Sequence, residues 1–529
     1  VTYRFRLGPK PGSALDLKRA FRPLGVRTHR RTRDAASSTG TELQSDQSVL
    51  QWIVLGAMVP LLLWAEIAAS PAQQLPLGGG PIPPVRRGAN GQIEIAPPDA
   101  AAARPGVGRH RAAPAAIAPP PSRQGSDPAV IARKPAAMAA GLASAVRSTV
   151  GTHFTVLAEY LPLPMTTAPY RLDPLRVQRP AGLMPQAPNG FSVSIFATNF
   201  GNPRWLAVAP NGDVFVAASE NGKIIMLRDA KGDGVASRIT TFATGFVRPH
   251  GLAFHDGALY VGDLRAIWRL PYRDGDTIAT GEPKQVTIAP DLRPEGEFWT
   301  REIAFDAAGR LYLAIGARGD VLADDPPPDA SVQEVAADGS MATFASGLRN
   351  VVGMAVYPGT NELWGTVNER DKLGAGVPPD YLTRIRRGDF FGWPYAYAGP
   401  HPDPAYGSER PDMVAATRVP DLLLEPHSAP LAVVFYDGAQ FPDEYKGDAF
   451  VAFHGSGPYY KPDGYKVVRV RFANGMPVRG YEDFVTGFML TGTYPPQVWG
   501  RPAGLAVAKD GSLLIADEQT VWRVKYTGH

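Results

Sequence analysis

Six times between residues 190 and 516 the chain repeats one pattern: an apolar run, a glycine turn, then a second apolar run. The copies are PRWLAVAPNGDVFVA at 203–217, PHGLAFHDGALYVG at 249–262, TREIAFDAAGRLYLA at 300–314 and VVGMAVYPGTNELWG at 351–365. A fifth runs from Pro430 to 452, and the last is PAGLAVAKDGSLLIA at 502–516. A strand pair repeated at a period of roughly 50 residues, stretched to about 75 by insertions, cannot bury its apolar faces alone and stacks against its neighbours. Related segments precede several copies: FATNF at 196–200, FATGF at 242–246, FASGL at 344–348 and FVTGF at 484–488. These read as outer strands that end before the chain drops inward to the next inner strand. Small Ala and Gly residues in the first strand of each pair suit a crowded axis. The expected fold is all-β: a six-bladed propeller over 187–529. Its last sheet is completed by Phe191–Phe196, which latches the ring. The alternative is an open multi-sheet β protein.

Composition explains what lies outside the ring. The chain has 56 Gly and 53 Pro and no Cys, which favours turns over long helices and removes disulfides, thiolate nucleophiles and thiolate metal sites. Residues 1–48 carry ten Lys and Arg against four acidic residues, and 73–180 carry twelve against five. The folded part is therefore mildly acidic despite a net charge of +4, which argues against a nucleic-acid partner. An uncharged run at 49–64, VLQWIVLGAMVPLLLW, followed by small residues to Ala72, suits an export signal within a 1–72 extension. The alternative there is an uncleaved membrane anchor through 49–69. Either directs the protein outside the cytoplasm, to the periplasm or beyond. Residues 73–186 are Pro/Ala/Gly-rich and read as a largely disordered basic spacer, with one helix conceivable over 136–161.

In a propeller the loops entering the inner strands line one mouth of the axial channel. Those loops contain Arg204 and Trp205, Arg248 and His250, Trp299 and Arg301, Arg349 and Asn350, His427, and Arg501. Guanidinium forks suit carboxylates, so their convergence on an acidic domain points to an anionic ligand. No G-x-G-x-x-G leads from a strand into a helix, which disfavours nicotinamide and flavin cofactors.

Longer stretches carry a resemblance. They are FASGLRNVVGMAVYPGTNELWGTVNERDKLG from Phe344, VPPDYLTRIRRGDFFGWPYAYAG at 377–399, PHSAPLAVVFYDGAQFPDEYKGDAFVAFHGS at 426–456, GYKVVRVRF at 464–472 and VWGRPAGLAV at 498–507. Together they resemble the soluble quinoprotein glucose/sorbosone dehydrogenases, most of all the L-sorbosone dehydrogenase-like branch, over about 187–529. The resemblance implies pyrroloquinoline quinone (PQQ) and Ca²⁺ at the channel mouth, with hydride passing from a sugar carbon to the quinone and on to an electron acceptor. It implies cofactor contacts at Arg349, Asn350, Arg501 and Trp393, with Arg349 also facing substrate. It places the calcium loop at Asn368, Glu369, Arg370 and Asp371, braced by Asp380. The chain departs from the family at several of its positions. Phe298 stands where the catalytic His is expected, Ala317 where its orienting Asp is, and Ala503 where a second cofactor Arg is. Gly457-Pro458-Tyr459-Tyr460 replaces Trp-Asn-Arg, and Gly374-Ala375-Gly376 replaces an acidic stretch. A base would then come from His250, Glu297 or His427, and His250 is the first candidate. The expected function is a PQQ-dependent sugar or aldose dehydrogenase. The alternatives are a degenerate propeller that binds sugar or quinone without turnover, and a metal-assisted lactonase.

Overall fold

The computed structural model describes residues 85–87, 93–95, 148–167, 174–288, 292, 298–322, 325–456, 464–490 and 497–528. Residues 1–72, Glu297 and 457–460 lie outside them. Six antiparallel sheets follow one another around an axis. Blade one is Pro203–Val208, Val214–Ala218, Lys223–Arg228 and Arg238–Thr244; blade two is Leu252–His255, Ala258–Gly262, Ile267–Pro271 and Lys284–Gln285. Blade three is Ile303–Phe305, Leu311–Ile315, Ser331–Val335 and Met341–Ser346; blade four is Val351–Val356, Leu363–Val367, Pro379–Ile385 and Leu422–Pro426. Blade five is Pro430–Phe435, Ala449–Phe453, Lys466–Val470 and Tyr481–Val485; blade six is Leu505–Val507, Leu513–Ala516, Thr520–Tyr526 and Phe191–Thr198. The ring closes as expected, because the first propeller strand, Phe191–Thr198, pairs with the last, Thr520–Tyr526.

The glycines at the axis have a geometric cause. Each inner strand meets those of the blades on either side. A Cβ on Gly251 would lie 2.6 Å from the Arg301 carbonyl, one on Gly353 2.8 Å from Ala432 Cα, and one on Gly504 2.7 Å from the Arg204 carbonyl. Blades two, four and six thus each present a bare backbone to the next blade, and only glycine permits that approach. Around this axis second strands such as Val214–Ala218 and Ala449–Phe453 are fully buried, and their side chains fill the space between sheets.

The stretch expected to be a disordered spacer contains ordered pieces. Val85–Arg87 and Ile93–Ile95 pair with each other, and the second adds to the outer edge of blade one. His153–Phe154 adds a fifth strand to blade five, and Leu175–Arg176 pairs with Gln497–Val498. The part of the conceivable 136–161 helix that is described is a strand followed by a single 3₁₀ turn at Ala158–Tyr160. Leu157 and Leu161 flank that turn in extended conformation, and the proline after Leu161 favours it. Among the described residues no helix is long and apolar enough to cross a membrane.

Replacing Gly353 by Val would force the inner strands of blades four and five apart. The expected loss is about 3 kcal/mol or more in urea unfolding; a loss below about 1 kcal/mol would contradict this packing.

Candidate active site: a cationic cavity at the propeller axis

The loops that enter the inner strands enclose a cavity of about 190 Å³. Arg204, Trp299, Arg349, Asn350, His427 and Arg501 line it, as the sequence led one to expect, and so do Asn368, Glu369, Asp371 and Asp380. Arg349 and Arg501 are therefore on the same face of the ring.

Each arginine is held by a different set of groups. Arg349 Nη1 donates to the carbonyls of Asn368 (3.1 Å) and Glu369 (2.7 Å), and Nη2 donates to Asp320 Oδ1 at 2.8 Å. The Phe298 ring covers its guanidinium, 4.4 Å from centroid to Cζ. Arg501 donates through Nε to the His454 carbonyl (3.1 Å) and through Nη2 to that of Gly455. Arg204 is less well satisfied. Its Nη1 lies 3.4 Å from His454 Nε2, its Cζ lies 5.5 Å from the Trp299 ring centroid, and its Nε has no hydrogen-bond partner. Burial, reinforced by the charge of Arg501, pulls its pKa down to about 10. The charge of Glu518 offsets this only in part, so the guanidinium is left short of negative charge.

His454, which sequence reasoning did not single out, is uncharged. Its Nδ1 lies 3.1 Å from the Pro502 carbonyl, which can only accept, so Nδ1 carries the proton and Nε2 accepts from Arg204. Burial and the nearby Arg501 and Arg204 push its pKa well below 6.5. His427 is the opposite case. Nδ1 faces Asp371 Oδ1 at 3.1 Å and Nε2 faces the Gly374 carbonyl at 2.9 Å, so both partners accept and both nitrogens donate. Burial opposes the charge, but the bond to Asp371, its charge and the Gly374 carbonyl outweigh it, and the pKa rises above 6.5. An imidazolium with both protons engaged is no base.

The expected calcium loop divides its side chains. Asn368 Oδ1 and Glu369 Oε1 are buried without hydrogen-bond partners on the cavity wall, as is Asn350 Oδ1 from the neighbouring strand entry. Burial pushes Glu369 up to about 7, against the pull of Arg349. Asp380 braces the loop: Oδ1 accepts from the Glu369 amide at 2.8 Å, and Oδ2 from Ser428 Oγ (3.2 Å) and the Ala429 amide (2.9 Å). Burial raises it to about 6. Arg370 turns away to a buried ion pair with Asp403, and Asp371 is bonded to His427, so neither side chain is placed as a metal ligand. Among the described residues no three His, Asp or Glu side chains group closely enough to hold a metal. A hard cation would instead draw on the mixed amide and carboxylate oxygens of Asn350, Asn368 and Glu369, a donor set whose chemistry suits Ca²⁺.

Other expected site residues lie elsewhere. His250 is buried outside the cavity, between Trp205 and Trp299, with Nδ1 3.2 Å from Glu302 Oε2 but off hydrogen-bond alignment. Burial pushes the histidine pKa well down and the glutamate well up, which favours an uncharged pair, and His250 is not among the residues that line the cavity. Trp393 packs behind the wall, its Nε1 donating to Asp325 Oδ2 at 3.2 Å, and Arg349 lies between it and the Phe298 ring. Arg301 is buried on the carbonyls of Leu292, Phe298 and Thr300. Arg248 flanks the mouth, stacked 4.5 Å from the Trp299 ring centroid. Phe298 is on the cavity wall and Ala317 sits in the small apolar cluster behind it. The described wall therefore carries no histidine free to accept a proton where the family expects one.

The fold and cavity define a six-bladed propeller with a cationic axial site. Residues 280–456 match the family described as Glucose / Sorbosone dehydrogenase, and 408–525 match one described as TrAA12-like. An uncharacterized protein of Borreliella burgdorferi is 27% identical over 356 residues, covering 64% of this chain and 90% of that protein. An iodide structure of a Trichoderma reesei Carbohydrate-Active Enzymes Family AA12 protein superposes with TM-score 0.56 at 18% identity, over 65% of this chain and 97% of that one. The holo form of the Pyranose Dehydrogenase PQQ domain from Coprinopsis cinerea superposes with TM-score 0.54 at 19% identity, over 66% and 98%. The expected resemblance is supported: residues 280–456 match the glucose/sorbosone dehydrogenase model, and the solved structures that superpose on the propeller share its fold.

The charge on His427 has a measurable consequence. Because its folded pKa is raised, its contribution is full below about pH 6.5 and is lost as pH rises through the folded value. His427→Gln should therefore cost roughly 1–2 kcal/mol more at about pH 5.5 than at about pH 9, by denaturant unfolding; an equal cost at both would contradict a charged His427.

Proposed function

We propose that the protein is a quinone-dependent sugar dehydrogenase acting outside the cytoplasm, with PQQ in the axial cavity and Ca²⁺ beside it. The observation that carries this reading is Arg204, a half-buried cation beside Arg501 whose Nε is buried and unsatisfied. A planar polycarboxylate supplies the missing anion there. The Trp299 face already accepts two guanidinium groups and gives a flat ring something to rest on. Asn368 and Glu369 would hold the cation through their side-chain oxygens, since their carbonyls are occupied by Arg349. Bound together, the quinone would accept two electrons as hydride from a sugar carbon while the cation polarised its reacting carbonyl.

The chain's own residues orient and shield. Arg204 and Arg501 fix the anionic edge of the cofactor, while Phe298 and Leu431 exclude water from the wall. The proton of the substrate hydroxyl needs an acceptor, and Glu369 is not available for it while its side chain holds the cation. The extracellular setting is supported by the apolar run at 49–64, and the reducing equivalents pass on to an acceptor there.

Phe298 favours a second reading, a propeller that binds the quinone or a sugar without turnover. It places an apolar ring where the family expects its base. The lactonase reading loses support, because that chemistry needs a carboxylate-rich channel and, among the described residues, no three His, Asp or Glu side chains group closely enough to hold a metal.

Purified protein reconstituted with PQQ and Ca²⁺ is titrated for binding and assayed by dye reduction over an aldose panel. The expected result is tight PQQ binding, weakened about tenfold or more by Arg204→Met, together with dye reduction. Binding without dye reduction on any aldose supports the second reading. Absence of PQQ binding, or binding unaffected by Arg204→Met, overturns the quinone proposal.

A further inference from the structure

The cavity loop at 368–376 is gripped from outside by a segment that precedes the propeller. This arm starts on blade five, where the Gly151 amide donates to the Asp483 carbonyl (2.8 Å) and the Asp483 amide to that of Thr152 (2.9 Å). Phe154 stacks on Tyr481 with centroids 5.4 Å apart, and Lys466 Nζ lies 3.9 Å from the same ring. The arm then crosses to blade four, where Val156, Ala158 and Leu161 pack on its apolar core. It ends on the loop itself. The Met165 amide donates to the Leu373 carbonyl (2.6 Å), and the Ala375 amide donates to Thr167 Oγ1 (2.7 Å).

These two bonds bracket Gly374, whose carbonyl accepts from His427. On the cavity side His427 is bonded to Asp371, and Asp371 is a wall residue of the same loop. The bare Gly374-Ala375-Gly376 sequence, where an acidic stretch was expected, now has a physical reason. A Cβ on Gly374 would lie 2.8 Å from Thr167 Oγ1, and one on Gly376 2.9 Å from Pro162 Cγ. Gly374 also has φ +125°, in the region that favours glycine. The loop has small residues there because the arm lies against it.

We propose that the arm at 148–167 is a built-in clamp on the cavity, and that Thr167 is a positioning residue which sets the Asn368–Asp371 wall by fixing the Leu373–Ala375 backbone. The proposal concerns the shape of the cavity and holds for any ligand, so it does not rest on the quinone reading. A loop that ends in two glycines has many conformations to lose, and a ligand would otherwise have to bear that ordering cost on binding. The arm orders it in advance, at the price of tying the cavity to a segment outside the ring.

Amide hydrogen exchange on the full-length, ligand-free protein tests the clamp, comparing wild type with Thr167→Val, Thr167→Ser and Gly374→Ala. Thr167→Val should speed exchange across 371–376 by about tenfold, the factor that one lost hydrogen bond commands, and leave blades one, two and six unchanged. Thr167→Ser, which keeps the hydroxyl, should restore wild-type rates. Gly374→Ala should loosen the same segment from the loop side, which gives a second reading if Thr167→Val folds poorly. Unchanged exchange in the loop, acceleration spread evenly over all blades, or a serine variant no better than the valine one would each overturn the proposal.

Discussion

Burying a guanidinium group is costly unless its donors are satisfied, and this protein sets three around one cavity, Arg349 and Arg501 buried and Arg204 half-buried. Two are met within the chain: Arg349 by the carbonyls of Asn368 and Glu369 and the carboxylate of Asp320, Arg501 by the carbonyls of His454 and Gly455. That arrangement requires the loops of blades four, five and six to converge, and the convergence requires inner strands whose backbones nearly touch at Gly353 and Gly504. The third, Arg204, has a neutral histidine and an indole face rather than a carboxylate. The site is thus shaped by protein carbonyls and left short of negative charge beside Arg204.

The same charges sort the other titratable groups. His454 and His250 are kept neutral by burial among arginines, whereas His427, facing only acceptors, is charged. Three histidines within one fold take different states because their partners differ, not because their depth does. The cavity's described histidines are consequently occupied in holding structure.

The ring itself was legible in the sequence because strand pairs, turns and small axial residues repeat at a fixed interval, and the latch followed from counting outer strands. Arg204, Arg349, Asn350 and Arg501 were found for the same reason, since topology alone puts the entrance to every inner strand at one mouth. What position could not give was the direction of each side chain. Arg301 and His250 occupy entrance positions yet turn inward between blades, toward carbonyls and Glu302. Arg370 sits in the cavity loop and points to Asp403, which is 33 positions away and carried no motif. The arm escaped notice because its strand is two residues long and its grip on the loop is made through backbone amides, which leave no compositional trace. The Gly-Ala-Gly segment was its only visible counterpart.

The central claim is that the axial cavity is built for a planar polycarboxylate. A crystal structure of the protein grown with PQQ tests it most directly. The account predicts the cofactor in the axial cavity, with a carboxylate on Arg204 and its ring plane against Trp299. Cofactor density at another site, or a cavity in which a carboxylate of the chain itself neutralises Arg204, would contradict it.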